Sequence, residues 1–182
     1  MRETMNERRV RTKKLALSSC IVALGVTLMY FGAILNFLDL TMIAITSLAV
    51  FFAVIEMGSY YPIMIYAATS VLSLLLLPDK FSAVVYLAFG GLYPIIKEKL
   101  ERIKGPVCTV LKFICFNISL AVVMTVSVLI LFPKADDGWL YYAAVVLLAN
   151  AAFFIYDIAM TRLITLYVKK IRIRMKMDRF FK

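Results

Sequence analysis

Asn117, Asn150, Asp157 and Glu56 are polar or acidic residues placed inside long apolar runs or at their ends. Unsatisfied polar groups in hydrocarbon are costly, so these are the first places to look for chemistry. Asn117 and Asn150 fall near the middle of their runs. Two readings are open for them: a hydrogen bond from helix to helix, or amides pointed into a ligand cavity. Asp157 follows Asn150 by seven residues on the same helix face, and Glu56 closes an earlier run. Pairing with Arg162, Lys112 or interfacial water is the plain reading of these acids, and a proton or cation relay is the functional one. Tyr86, Trp139, Tyr141 and Tyr142 lie near run ends, where Trp and Tyr anchor at headgroup level. The same rings offer a stacking surface to a flat organic substrate. Asn36, Tyr86, Asn117, Trp139, Tyr142 and Asn150 form the candidate substrate-binding set.

Other chemistry lacks parts. The sequence has no His, and no Ser or Cys stands in a nucleophile motif, so the usual hydrolase constellations cannot be assembled. Cys20, Cys108 and Cys115 all sit in apolar runs and read as small buried hydrophobes; two thiols without His make a poor metal site. The string FGGLYP, Phe89 to Pro94, has adjacent glycines but no phosphate-loop ending or strand context. It reads as a bend or close-packing site in a helix. The expectation is a protein that is not an enzyme, with no cofactor and no metal.

The elements that must hold these residues are membrane helices. The 182 residues are 63% hydrophobic, with a mean hydropathy of +0.90, which does not describe a soluble globule. Crossing roughly 30 Å of hydrocarbon takes about 20 helical residues, and six runs qualify: 15 to 35, 40 to 57, 60 to 77, 81 to 97, 107 to 132 and 139 to 167. Breakers or caps separate them: Asn36 and Asp39, Gly58 and Ser59, Pro78 and Asp79, Gly105 and Pro106, and Pro133 through Gly138. Only MGSYYP divides the second from the third, so a single broken segment is the alternative there.

Charge supports an even number of spans. With the N-terminus inside, the inner segments hold seventeen Lys and Arg, against Lys80 and Lys134 outside. Lys112 and Arg162 lie in the spans close enough to the inner ends to snorkel. The expected fold is therefore all-α: one six-helix transmembrane domain over 1 to 182, in the cell (plasma) membrane, with a basic cytoplasmic stub at 1 to 14 and a basic cytoplasmic tail at 168 to 182. A net charge of +10 would suggest nucleic acid in a soluble protein. Here the basic residues flank apolar spans, which makes anionic lipid headgroups their partner. The first run continues from Leu15 to Leu35 with no small-residue cleavage site, so it is a permanent span rather than an export signal.

Within that first span Ser19, Ala23 and Thr27 recur every four residues on one face, beside Ala16 and Cys20. Such a stripe lets another backbone approach closely, either a partner protein's or that of another span of this chain. At the inner face, KEKLERIK extends the fourth span, with Lys97 to Glu101 and Glu98 to Arg102 at i,i+4. This segment and the tail read as solvated topology anchors, or alternatively as a docking surface.

Six spans in under 200 residues, both termini inside, a basic stub leading into a helix with small residues every four, and no nucleotide-binding motif: this layout resembles the substrate-binding S components of energy-coupling factor vitamin transporters. In that family an AxxxA pattern on the first helix contacts a transmembrane T component coupled to two cytoplasmic ATPases. The matching positions are Ser19, Ala23 and Thr27, with Ser and Thr replacing Ala at two of three. The resemblance implies partner-helix docking there and a small-molecule substrate entering a pocket in the outer halves of the helices. The competing expectation is a six-span scaffold resembling the rod-shape morphogenesis membrane proteins, or a subunit of a larger complex, which needs no closed pocket. A gradient-driven transporter predicts an internal repeat, and none relates residues 1 to 97 to 98 to 182.

Overall fold

The computed structural model describes residues 2–35, 38–58, 60–102, 106–131 and 139–171. Among them there is no strand. The helices are α1 (Arg2–Leu35), α2 (Asp39–Met57), α3 (Tyr60–Leu76), α4 (Lys80–Val85), α5 (Leu92–Leu100), α6 (Pro106–Val126) and α7 (Trp139–Leu166). A π-helical turn, Tyr86–Gly90, joins α4 to α5, so these make one segment and the described chain forms six helical segments. Two further π turns, Ser127–Leu131 and Tyr167–Ile171, end α6 and α7.

Among the described residues, four helices are long and apolar enough to cross a membrane: Glu7–Leu35, Asp39–Met57, Val107–Ile130 and Trp139–Lys170. Tyr60–Leu76 is apolar but shorter. The first helix does not stop at its apolar run. It is 34 residues long and carries the basic stub as a helical extension.

The breakers act as their chemistry requires. Gly58 ends α2 at φ 82°, ψ −172°, a conformation that residues with a Cβ avoid. Asp79 caps α4, accepting from the backbone N–H of Phe81 and Ser82 at 3.1 Å each and from Ser82 Oγ at 2.8 Å. Beside it, Lys80 Nζ donates to the carbonyls of Leu74 and Leu77, both at 2.8 Å, and so satisfies orphan acceptors at the end of α3. Ser59, Gly105 and Pro133 through Gly138 lie outside the described residues.

By its contacts the chain divides into two compact units, Leu17–Asp136 and the segments Met1–Ala16 with Asp137–Lys182. The first contains the core, where Met29, Ala33, Ile43, Leu77, Ala83 and Tyr86 pack with Tyr66 and Val85. In the second, α7 buries Phe153 and Met160, seven apart on one face, and leaves Leu147, Leu148 and Ile155 exposed.

Candidate functional site

The interior of the larger unit is lined with hydroxyls. On α3 the positions Tyr66, Thr69, Ser70 and Ser73 follow i, i+3, i+4, i+7 spacing and share one face. Thr69, Ser70 and Ser73 on this face are buried, while Ile63, Met64, Val71, Leu74, Leu75 and Leu76 are exposed. The helix thus buries its hydroxyls beside Pro62 and Ile65 and is apolar outside, an arrangement suited to a hydrocarbon surround. α2 contributes Thr46 and Ser47, α4 contributes Ser82, and α1 contributes Ser18, all buried.

Most of these hydroxyls have identified partners. Thr46 Oγ1 donates to Met42 O at 2.9 Å and reaches across to Gly25 O of α1 at 3.4 Å. Ser73 Oγ donates to Ser70 O at 2.9 Å, and Ser18 Oγ lies 3.5 Å from Met57 Sδ. Three do not fit this pattern: Thr69 Oγ1, Ser70 Oγ and Tyr86 OH are buried with no protein hydrogen bond among the described residues. Thr69 nevertheless lies beside Tyr86, and Ser70 beside Tyr66, each pair close enough for their side chains to interact.

Tyr86 opens the π turn, and the local sequence explains why the turn forms there. Pro94 has no N–H to offer the carbonyl four residues back, at Gly90, and the Gly90–Gly91 pair offers no side-chain resistance to a wider turn. Gly91 N–H bonds five residues back to Tyr86 O at 2.8 Å, which deprives Leu87 O of its usual α-helical donor. The Tyr66 hydroxyl replaces that donor at 2.9 Å. The glycines also set the packing distance. A Cβ at Gly90 would lie 2.6 Å from Ile43 Cγ2, and one at Gly91 2.5 Å from Tyr66 Cδ2 and 2.9 Å from Tyr86 OH. The FGGLYP string is therefore a close-packing site, with a π turn where a sharp bend would otherwise form. Phe89 extends the contact, stacking on Tyr93 at 4.9 Å and meeting Phe116 of α6 edge-on at 5.3 Å.

A charged cluster lies one helix further on. Lys97 Nζ is 3.2 Å and Lys112 Nζ 3.3 Å from the same Glu101 Oε1, and both lysine side chains are buried. Lys97 also lies 5.7 Å from the centre of the Tyr93 ring. One expectation is corrected here. Lys97 is buried rather than a solvated anchor, and Lys112 joins it on the part-exposed Glu101 carboxylate. Glu98 and Arg102 do form the expected i,i+4 pair, with Arg102 Nε donating at 3.1 Å.

The candidate substrate-binding residues fall in both units. Tyr86 is wholly buried at the π turn. Asn117 is exposed on α6 and donates to Phe113 O at 2.9 Å. It lines an open apolar groove of about 580 Å³ with Thr109, Val110, Phe113, Ile114 and Ala121. Trp139, Tyr142 and Asn150 belong to α7: Trp139 is exposed, Tyr142 and Asn150 are half-buried, and Asn150 donates to Val146 O at 2.9 Å. Asn36 lies outside the described residues. Ser19, Ala23 and Thr27 all face outward, and Thr27 Oγ1 returns its proton to Ala23 O at 2.8 Å. The small residues of α1 that face the core are Ser18, Gly25, Gly32 and Ala33. Cys20 is exposed rather than buried, while Cys108 and Cys115 are half-buried.

The buried hydroxyl face of α3 is not among the residues that the sequence patterning singles out. Its signal was present in the i, i+3, i+4, i+7 spacing of Tyr66, Thr69, Ser70 and Ser73. Hydroxyl residues are common in membrane helices because they can bond their own backbone, so spacing alone does not separate them from neutral filler. Comparisons with protein-family models, with curated proteins and with solved structures give no match to this chain.

Proposed function

We propose that this protein is the substrate-binding membrane subunit of an ATP-driven uptake transporter for a vitamin-like small molecule, energised by a separate transmembrane T component and two cytoplasmic ATPases. In this reading the six helical segments cross the plasma membrane and both termini are cytoplasmic, following the seventeen-to-two distribution of Lys and Arg. The observation that supports it best is the hydroxyl-lined interior around the π turn. A protein whose only task is to fill a bilayer has no need to bury three unpaired hydroxyls beside a helix with altered backbone bonding, whereas π turns recur at functional sites. The outward stripe of Ser19, Ala23 and Thr27 is left uncovered by the described chain, as a partner-docking face requires.

A six-span scaffold is the second reading, favoured by the tight fill at Gly90 and Gly91, where even one methyl group would collide. Affinity purification of the tagged protein from its host in mild detergent, with mass spectrometry of what accompanies it, separates the two. Recovery of a T-like membrane protein with two ATPases, reduced at least tenfold by Ala23→Leu, is the expected result. Recovery of envelope-morphogenesis proteins without any ATPase would replace the carrier by the scaffold.

A further inference from the structure

We propose that the N-terminal turns of α1 and the basic end of α7 form one binding site for the phosphate headgroup of an anionic phospholipid, at the inner surface of the membrane. The charge of the chain collects in the compact unit that these two segments share. Met1–Ala16 with Asp137–Lys182 carries 14 Lys and Arg against 5 Asp and Glu, whereas Leu17–Asp136 carries 7 against 6. Of the net +10, the smaller unit therefore holds +9. Its acids cannot neutralise its cations however they pair, and gathering like charges into one compact unit is unfavourable without an outside counter-charge. Anchoring of topology alone does not account for this, because α2 to α6 also meet both membrane surfaces and their unit is nearly neutral.

The placement of the cations fits a headgroup. α1 is helical without a break from Arg2 to Leu35, so its basic turns extend the membrane helix rigidly. Arg8, Arg9, Arg11 and Lys13 are exposed, as are Lys169 and Lys170 in the π turn that closes α7. Along the axis Arg11 stands about 6 Å from Leu15, where the apolar run begins, and a headgroup layer is about 5–8 Å deep. An apolar flank accompanies the charge in both segments. Arg8, Arg11 and Leu15 share one face of α1 at i, i+3, i+7 spacing. Leu15 is exposed on it, and Leu163 and Leu166 are exposed in the turns of α7 that precede Lys169. An anionic phospholipid matches both parts, with a phosphate for the guanidinium and ammonium groups and acyl chains for the leucines. A free phosphate or a nucleic acid would meet the cations alone.

Native mass spectrometry of the full-length protein in detergent, supplied with equal amounts of phosphatidylglycerol and phosphatidylcholine, tests the site. Wild type is expected to retain one phosphatidylglycerol, preferred over phosphatidylcholine by about tenfold or more. Arg8→Gln/Arg11→Gln and Lys169→Gln/Lys170→Gln should each abolish that preference, because both segments hold the same headgroup. Lys99→Gln/Arg102→Gln, which removes two exposed cations from the larger unit, should leave it unchanged. The charge-keeping pair Arg8→Lys/Arg11→Lys should retain it, which separates lost charge from lost folding. Equal losses in all three neutralised pairs would reduce the preference to net charge, and loss of a separate lipid with each basic pair would make the segments independent anchors. Either result overturns the shared site, as would a wild type without preference or a charge-keeping variant that loses it. Displacement of the lipid by excess inorganic phosphate would overturn the lipid in favour of a free anion. The inference needs a membrane around the helices and not a substrate among them, so purification without ATPases would end the carrier reading and leave the lipid result untouched.

Discussion

α3 and α6 are both apolar helices, yet they solve the problem of a hydrocarbon surround in opposite ways. α3 turns its hydroxyls inward together with Ile65 and most of its other aliphatic side chains outward: Thr69, Ser70 and Ser73 are buried, and Leu74, Leu75 and Leu76 are exposed. α6 is buried over only 11% of its most apolar stretch, compared with 44% for α1 and α2, and its exposed face runs through Val107, Val110, Ile114 and Ile118. Asn117 sits on that outer face and satisfies its amide on its own helix. The contrast shows that in such a helix burial follows close backbone approach and hydrogen bonding, with hydrophobicity a poor guide to the inner face.

The contrast can be broken most directly at the glycine pair. Gly91→Val places branched methyls where a single Cβ already lies 2.5 Å from the Tyr66 ring, and is expected to cost about 3 kcal/mol or more. Loss of the monodisperse peak in size-exclusion chromatography would record it, and a well-folded variant would show that the π turn is not closely packed. Glu101→Gln comes next, at about 1–2 kcal/mol, because it withdraws a carboxylate shared by two buried lysines while Glu101 itself keeps some solvent exposure. Thermal unfolding should rank it above Lys112→Met, which leaves Glu101 with Lys97; the reverse order would show that the carboxylate is not the hub.

Tyr66→Phe removes the donor to Leu87 O and is expected to cost about 1 kcal/mol, with amide hydrogen exchange rising around the π turn and little change in α6. Exchange at the π turn as slow in Tyr66→Phe as in wild type would mean that the carbonyl finds another donor. Asn117→Ala sharpens the opposite side of the comparison. An exposed side chain bonded to its own helix should change stability by no more than about 0.5 kcal/mol, and a larger loss in the same unfolding assay would reveal a partner on the α6 face.

Much of the scaffold was legible without coordinates because its signals are local. Pro78 and Asp79 mark a helix start, Gly58 marks a stop, and the Lys97–Glu101 and Glu98–Arg102 spacings are fixed by the helical repeat. The site was less legible. Tyr86 was singled out for its depth near a run end, but its burial depends on Ile43 and Tyr66, which approach from other segments. Ser19, Ala23 and Thr27 looked equally suited to internal packing and external docking, and only the burial of Ser18, Gly25 and Ala33 on the other face of α1 turned that stripe outward.

The sequence by itself determined that this is a chain of long apolar helices, where they break, and that basic residues collect at alternate ends. Those properties reside in composition and spacing, and each residue carries its share of them alone. The tertiary structure decided which face of each helix is inside, which hydroxyls lack a bond, and that Lys97 and Lys112 share one acid. In water the apolar stripe of a helix announces its inner face. In a helix apolar all round that contrast disappears, and the inner face is set by where another backbone can come close and which polar groups it meets there.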